Sequence, residues 1–456
     1  MIWEKAGKVL LAFVAVGFLL VFFPGSSIGG ETKPNIVFIL SDDHRFDHLG
    51  VQNHPWIKTP NLDRLTREGV FFNNAFCTTS LCSPSRASFI TGQYAHKHGV
   101  KNNITYWKNK NVTVLEKLKK GGYKTAFIGK WHMPGPLPEL RGVDRFITFT
   151  HKTGQGDHFN CPLVIDGVET PREGKFLDED LADFAIEFIR KEKDNPFCLY
   201  LAHKAPHGPF VNPPGFKAFY KNENIDHLPK WAHRFAGMAN GEIYGGFLWN
   251  VEGMYKKYCR LISSVDRQVG RVLDELDRLG IAENTLVVYS TDNGFLVGDK
   301  AHFDKRWAHF PSMRIPFIVR YPAGLKAPGR RSDEMVLNVD LAPTLLDMAG
   351  LPIPDGMDGK SFRKILENQP VKLRESFHYE FFKDYPPYTV PEMDAVRTRQ
   401  HLYIEYNQSR MAPELYDVVK DPRNLRNLLG SPEGQRVLPG LKTKLMEYKE
   451  RKENAR

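Results

Sequence analysis

Four short polar clusters hold most of the residues able to do chemistry, and each follows a run of apolar ones: Ser41-Asp42-Asp43-His44, Lys130-Trp131-His132, His203 through His207, and Thr291-Asp292-Asn293-Gly294. Asp42, Asp43, Asp292 and Asn293 are all hard oxygen donors. Such a set favours Ca2+ or Mg2+ over zinc or copper, which prefer nitrogen and sulfur. Three carboxylates brought together without a cation would repel one another and raise at least one pKa. Taken singly, an Asp pair at a strand end is a turn or a cap, and Asp-Asn-Gly is an ordinary turn signal. Chemically matched clusters at several strand ends call for more. A fifth feature is Cys82-Ser83-Pro84-Ser85-Arg86, followed by Ala87 through Thr91-Gly92.

The elements that must position these clusters read as α/β grammar, with apolar strands alternating with amphipathic helices. Ile36 to Leu40 is a continuous apolar run, as a strand buried on both faces requires. Lys124 to Gly129, Pro196 to Ala202, Thr285 to Ser290 and Ile315 to Tyr321 are the other expected strands. Thr59 is expected to cap a short helix with Pro60 first, Leu62 and Leu65 inward, and Gly69 at its end. Apolar spacing predicts helices from Asp178 to Lys191, behind an acidic first turn, and through Ile262 to Leu276, closed by Gly280. Polar clusters at the carboxyl ends of strands are where open α/β sheets place chemistry.

With 456 residues, 41% hydrophobic, the chain is long enough for one large α/β domain with an appendage, and disorder and fibres are excluded. Residues 1–30 read as a secretory signal peptide: Lys5 and Lys8 precede an apolar run from Val9 to Phe23, with Ser27 and Gly29 for cleavage. An uncleaved N-terminal anchor is the alternative. The expectation is therefore an exported protein, periplasmic, extracellular or in a lysosome-like compartment. The formal charge of +10 suits an anionic partner, and with no nucleic-acid motif that partner is an extracellular polyanion. No stable membrane partner is expected. Of the five cysteines, Cys82 is set apart for chemistry, and Cys77, Cys161, Cys198 and Cys259 are enough for two disulfides.

The Cys82-to-Gly92 segment resembles the signature of the formylglycine-dependent (type I) sulfatases of the alkaline-phosphatase-like superfamily. In that signature the first residue of Cys-x-Pro-x-Arg is oxidised to an aldehyde. The resemblance runs from Pro34 to about Leu429. It includes Asn35 to Asp43, Gly129-Lys130-Trp131-His132, Ala205-Pro206-His207, Asp292-Asn293-Gly294 through Lys305, Val396-Arg397-Thr398 and Glu414-Leu415-Tyr416-Asp417. The chain departs from the family at Gly298-Asp299-Lys300-Ala301-His302 and at Ala308-His309-Phe310-Pro311-Ser312, which flank the catalytic set.

The resemblance implies a large mixed sheet sandwiched between helices over residues 31–370, then a smaller α+β domain with an antiparallel sheet over 371–456. It implies a metal, Ca2+ before Mg2+, held by Asp42, Asp43, Asp292, Asn293 and the converted Cys82. Arg86 and Lys130 would stabilise the aldehyde hydrate, His132 accept its proton, Lys305 grip the sulfate, and His207 protonate the leaving alcohol. One geminal hydroxyl attacks sulfur and the other later expels sulfate, an exit that a plain thiol lacks. A formylglycine-generating or sulfatase-maturating enzyme is then a required partner. His96 and His98 read as structural or rim residues, and His203 as packing beneath His207. Asn103, Asn111 and Asn407 begin glycosylation sequons. The stretch Thr79 to Asn103 is similar to glucosamine-6-sulfatases, which makes a 6-O-sulfated N-acetylhexosamine of a sulfated glycan the leading substrate. A phosphate or phosphonate ester hydrolase of the superfamily, and a non-catalytic glycan-binding homologue, stay open as alternatives.

Overall fold

Every residue of strand β1 (Asn35–Ser41) is buried, and its side chains alternate between two cores. In the computed structural model, which describes residues 33–108, 110–135, 137, 141–149, 154–229, 251–384 and 390–454, β1 lies near the middle of a ten-stranded mixed sheet. The other strands are β2 (Val70–Phe76), β3 (Lys124–Gly129), β4 (Arg145–Phe149), β5 (Leu163–Ile165), β6 (Val168–Thr170), β7 (Phe197–Ala202), β8 (Thr285–Thr291), β9 (Phe317–Arg320) and β10 (Arg330–Leu337). They run in the order β10-β2-β9-β8-β1-β7-β3-β4-β5-β6. Ile36, Phe38 and Leu40 pack with Ala87, Phe89 and Ile90 of helix Cys82–Thr91 and with Leu345 and Leu346 of helix Leu341–Met348. Val37 and Ile39 face the opposite core, with Leu62 and Leu65 of helix Pro60–Arg67, Leu181 and Phe188 of helix Leu177–Glu192, and Val265 and Val269 of helix Val251–Arg278. This is the expected sheet between two helical layers.

A second, antiparallel sheet has the order β11-β12-β13-β14: β11 (Ser376–Phe381), β12 (Met393–Thr398), β13 (His401–Tyr406) and β14 (Glu414–Asp417). Phe377, Tyr379 and Ala395 join the first core. Val396, Tyr403 and Leu415 instead cover Leu441 and Leu445 of helix Pro432–Asn454.

The structure corrects four local expectations. Thr59 occupies the N-cap position, yet its hydroxyl accepts from the Gly50 N–H and donates to Asp63. Asp266 of the long helix caps instead, accepting from the backbone N–H groups of Asn61 and Leu62 at 3.0 and 2.8 Å. The charged segment from Leu441 to Arg456 reads in the sequence as a terminal helix, yet the last helix begins at Pro432 and reads through Pro439, because Val437 and Leu438 before the proline and Leu441 and Leu445 after it share one core. The strand expected at Ile315 to Tyr321 is only Phe317–Arg320. All five cysteines are buried free thiols, so the expected pair of disulfides is absent: burial in separate positions of the cores, as small apolar groups, accounts for the other four. The expected signal peptide lies outside the described residues.

Candidate active site

Strands β8, β1, β7 and β3 are consecutive and parallel, and their registers, Ser41 with Thr291, Leu40 with Ala202 and Gly129 with Ala202, bring their carboxyl ends level. The polar clusters that follow therefore open into one space. Gly129 has φ +115°, and a Cβ there would fall 1.9 Å from the carbonyl oxygen of Ala202. Only glycine lets the chain leave β3 so close to β7 and turn Lys130 and His132 into the site. Asp43 and His132 hold φ of +63° and +49°, sparsely populated values that mark residues fixed by their surroundings.

Helix Cys82–Thr91 enters this space amino end first and closes at Gly92, with φ +69°. All ten of its residues are buried, and its positive dipole end points at the site. The hydroxyl of Ser83 donates to the carbonyl of His132, and that of Ser85 to the carbonyl of Asp292, both at 2.5 Å. These bonds seat the helix against two of the clusters. Arg86 donates from Nη2 to Asp42 at 3.0 Å, from Nε to Asp292 at 2.9 Å, and from Nη1 to the Lys130 carbonyl at 2.8 Å. Lys130 bonds the carboxylate of Asp42, and Lys305 donates to Oδ1 of Asp43 at 2.6 Å. The same Lys305 ammonium is 2.9 Å from Sγ of Cys82, which is itself 3.7 Å from Oδ1 of Asp42. Nδ1 of His207 bonds the Gly208 carbonyl, which leaves its Nε2 facing Oδ2 of Asp43 at 3.7 Å.

The carboxylates of Asp42, Asp43 and Asp292 lie within 4.8 Å of one another, all buried. Burial, joined by Asp42 and Asp292, pushes Asp43 up to about 7 against the pull of Lys305. Burial would raise Asp42 too, but Lys130, His207, Arg86 and Lys305 together hold it well below the usual range. Oδ2 of Asp43 and Oδ1 of Asn293 are buried without a hydrogen-bond partner. Orphaned oxygens beside clustered carboxylates fit a hard divalent cation. Burial and Asp42 push the Cys82 thiol up to about 12, so as plain cysteine it is no thiolate nucleophile at neutral pH. Burial and the neighbouring cations Lys130 and Arg86 hold His132 well below its ordinary value, and burial with Lys130 and Lys305 does so for His207.

All ten residues singled out in the sequence thus line one space, and others join them. Gln155 accepts from Lys130 at 2.7 Å and bonds Nε2 of His132 at 3.1 Å through its amide nitrogen. Asp178, read from sequence as part of an acidic first turn, is buried and takes three hydrogen bonds on Oδ1, from Nδ1 of His203 and the N–H groups of Lys204 and Ala205. It braces the turn that presents His207, whose carbonyl also bonds Nε2 of His158 at 2.9 Å. His203 is committed to Asp178, His98 to Ser88, and His96 to Glu380 of β11. The two stretches that depart from the family serve the second sheet: Lys300 and His309 converge on Glu414 of β14. The sequon asparagines hold internal bonds: Asn103 to the Ser83 N–H, Asn111 to the His98 carbonyl, and Asn407 to Asp394.

The sulfatase family model matches residues 34–351, and that for the C-terminal region of N-sulphoglucosamine sulphohydrolase matches 298–451. The chain belongs to the sulfatase family. It is a sulfuric ester hydrolase with the alkaline-phosphatase-like fold. It is 29% identical to an N-acetylglucosamine-6-O-sulfatase of Bacteroides thetaiotaomicron, over 88% of this chain and 84% of the relative. It is 31% identical to an ulvan-active sulfatase of Formosa agariphila, over 91% and 80%. The solved structure of BT4656 in complex with its substrate D-glucosamine-2-N,6-O-disulfate superposes with a TM-score of 0.85 at 27% identity, covering 92% of this chain and 98% of the other.

Proposed function

We propose that this sulfatase is exported and removes the 6-O-sulfate from N-acetylhexosamine residues of a sulfated glycan, with Cys82 matured to formylglycine. The observation that carries the reading is the meeting of Cys82, Lys305 and the three carboxylates at the head of one buried helix. The sugar assignment is supported by the likeness to a 6-O-sulfatase and to a complex with a 6-O-sulfated glucosamine.

Formylglycine would supply, as its hydrate, a nucleophile with a built-in exit. Ca2+, held by Asp42, Asp43, Asp292 and Asn293 with the matured Cys82, would supply charge for the sulfate oxygens and acidity for that hydrate. The protein supplies the rest. Arg86 is pinned by three hydrogen bonds, so it offers a fixed positive charge beside residue 82. Lys130 and Lys305 present ammonium groups to an incoming sulfate with no reorganisation. His132, its Nε2 turned to the Gln155 amide as an acceptor, is arranged to receive a proton from the group at residue 82. The Gly208 carbonyl fixes the proton of His207 on Nδ1 and leaves Nε2 toward the site. A sulfate anion arriving beside His207 offsets the depression caused by Lys130 and Lys305, so the imidazole charges where it must protonate the leaving alcohol.

The test is the mass of the tryptic peptide Glu68 to Arg86 from protein made with a maturating enzyme, with Cys77 reduced, paired with sulfate release from 6-sulfo-N-acetylglucosamine. Loss of hydrogen sulfide with gain of one oxygen at Cys82, accompanied by sulfate release, is expected. An unmodified cysteine in a host that matures another sulfatase overturns the mechanism. Faster turnover of an aryl phosphate than of the aryl sulfate overturns the ester class.

A further inference from the structure

A cavity of about 500 Å3 opens where the second sheet meets the loop beyond the catalytic helix, and Lys101, Asn102, Phe382, Lys383, Glu392 and Asn407 are among its lining residues. Two tethers lead from it to the reacting centre. On one wall, Asn102 precedes Asn103, whose Oδ1 accepts from the N–H of Ser83, next to Cys82, at 3.1 Å. On the other, Lys383 precedes Asp384, whose Oδ2 accepts from Nε and Nη2 of Arg306 at 3.1 and 3.0 Å, and Arg306 adjoins Lys305. The walls are joined to each other by Nδ2 of Asn102, which donates to the Lys383 carbonyl at 2.9 Å.

The charges in the cavity are not all balanced. Lys449 is matched by Glu405 at 2.6 Å and Lys452 by Asp394 at 2.8 Å. Lys101 lies over the Phe382 ring at 5.2 Å, and neither it nor Lys383 forms an ion pair with a described residue. These two ammonium groups give an anion a place to pair. A bare oxyanion, however, would meet Glu392 and Glu453 on the same lining. A sugar does not suffer this conflict: its hydroxyls donate to carboxylates and to the Asn407 carboxamide oxygen, and a single sulfate or carboxylate on it pairs with the lysines.

We infer that this cavity is a second saccharide subsite, which holds an anionic sugar residue of the same glycan chain whose sulfate ester lies at Cys82. The inference rests on the glycan-sulfatase reading above and extends it: the enzyme recognises a charged neighbour of the residue it desulfates. Lys101 and Lys383 take the charge, and Glu392 and Asn407 take hydroxyls.

Calorimetric titration of the full-length Cys82→Ala protein with a heparin-derived tetrasaccharide and with 6-sulfo-N-acetylglucosamine tests this. The double substitution Lys101→Ala/Lys383→Ala, added to that background, is expected to weaken tetrasaccharide binding about tenfold and leave the monosaccharide unchanged, while Lys101→Arg/Lys383→Arg retains the tetrasaccharide. An unchanged tetrasaccharide affinity, or an equal loss for both ligands with the thermal unfolding midpoint unaltered, overturns the subsite. Sulfate release from the monosaccharide by the unsubstituted, matured enzyme reads the catalytic assignment separately. Its absence would overturn that assignment while the titration still decides on the cavity.

Discussion

The side-chain amide of Asn293 donates to Oδ1 of Asp43 across 2.6 Å, and this leaves Oδ1 of Asn293 and Oδ2 of Asp43 buried with no hydrogen-bond partner. An unmet buried acceptor costs about 1–3 kcal/mol, and a hard cation between such oxygens removes that cost. Calcium is expected to raise the thermal unfolding midpoint by about 3–5 °C and a chelator to abolish both the rise and sulfate release. Asp43→Asn should remove the calcium-dependent shift, as read by differential scanning fluorimetry.

The free thiols give a second prediction. With no disulfide among five cysteines, unfolding in denaturant without reductant should expose all of them. Formylglycine consumes Cys82, so matured protein should titrate four thiols and unmatured protein five. A count of zero or one would mean that disulfides form after all.

Asp178 bears on His207 without touching the reacting atoms. Asp178→Ala strands three buried donors, those of His203, Lys204 and Ala205, at about 1 kcal/mol or more each. Chemical denaturation should show a loss of about 3 kcal/mol. In protein kept folded, kcat should fall about tenfold with KM little changed. Asp178→Asn keeps an acceptor and should recover most of both.

Acid stability should depend on Glu414. Burial alone would raise its pKa, but the hydrogen bond and charge of His309, the charge of Lys300 and the hydroxyl of Tyr416 outweigh it and hold Glu414 well below the ordinary 4.5. A carboxylate depressed on folding gives stability that is present above its unfolded pKa and is lost as pH falls toward the folded one. Unfolding free energy should therefore drop below about pH 4.5, and Glu414→Gln should flatten that drop while lowering stability at neutral pH. Denaturation curves at pH 3.5, 4.5 and 7 measure it.

The strands that carry the site were legible because burial on both faces leaves unbroken apolar runs, as in Ile36 to Leu40 and Leu286 to Tyr289, and because the polar residues begin where those runs end. The edge strands β5 and β6, three residues each, carry no such signal. Gln155 and Asp178 were not legible as site residues for a different reason. Each acts on residues that are 23 to 27 positions away, so nothing in its own neighbourhood marks it. Thr59 failed as a cap since Asp266, 205 positions beyond Asn61, supplies the acceptor. The cysteine count suggested bridges, whereas Cys77, Cys161, Cys198 and Cys259 are taken up by packing.

The position of β1 has a consequence for how the protein is made. Its neighbours on either side are β7 and β8: Asn35 contacts Phe197, 162 residues away, and Thr285, 250 residues away. A chain emerging amino end first presents this strand, with its apolar run Ile36 to Leu40 and Asp42 and Asp43 at its tip, long before either partner exists. One edge stays open until β7 is synthesised and the other until β8 is complete. Chaperone supply and translation rate, more than final stability, should therefore set the yield of soluble protein.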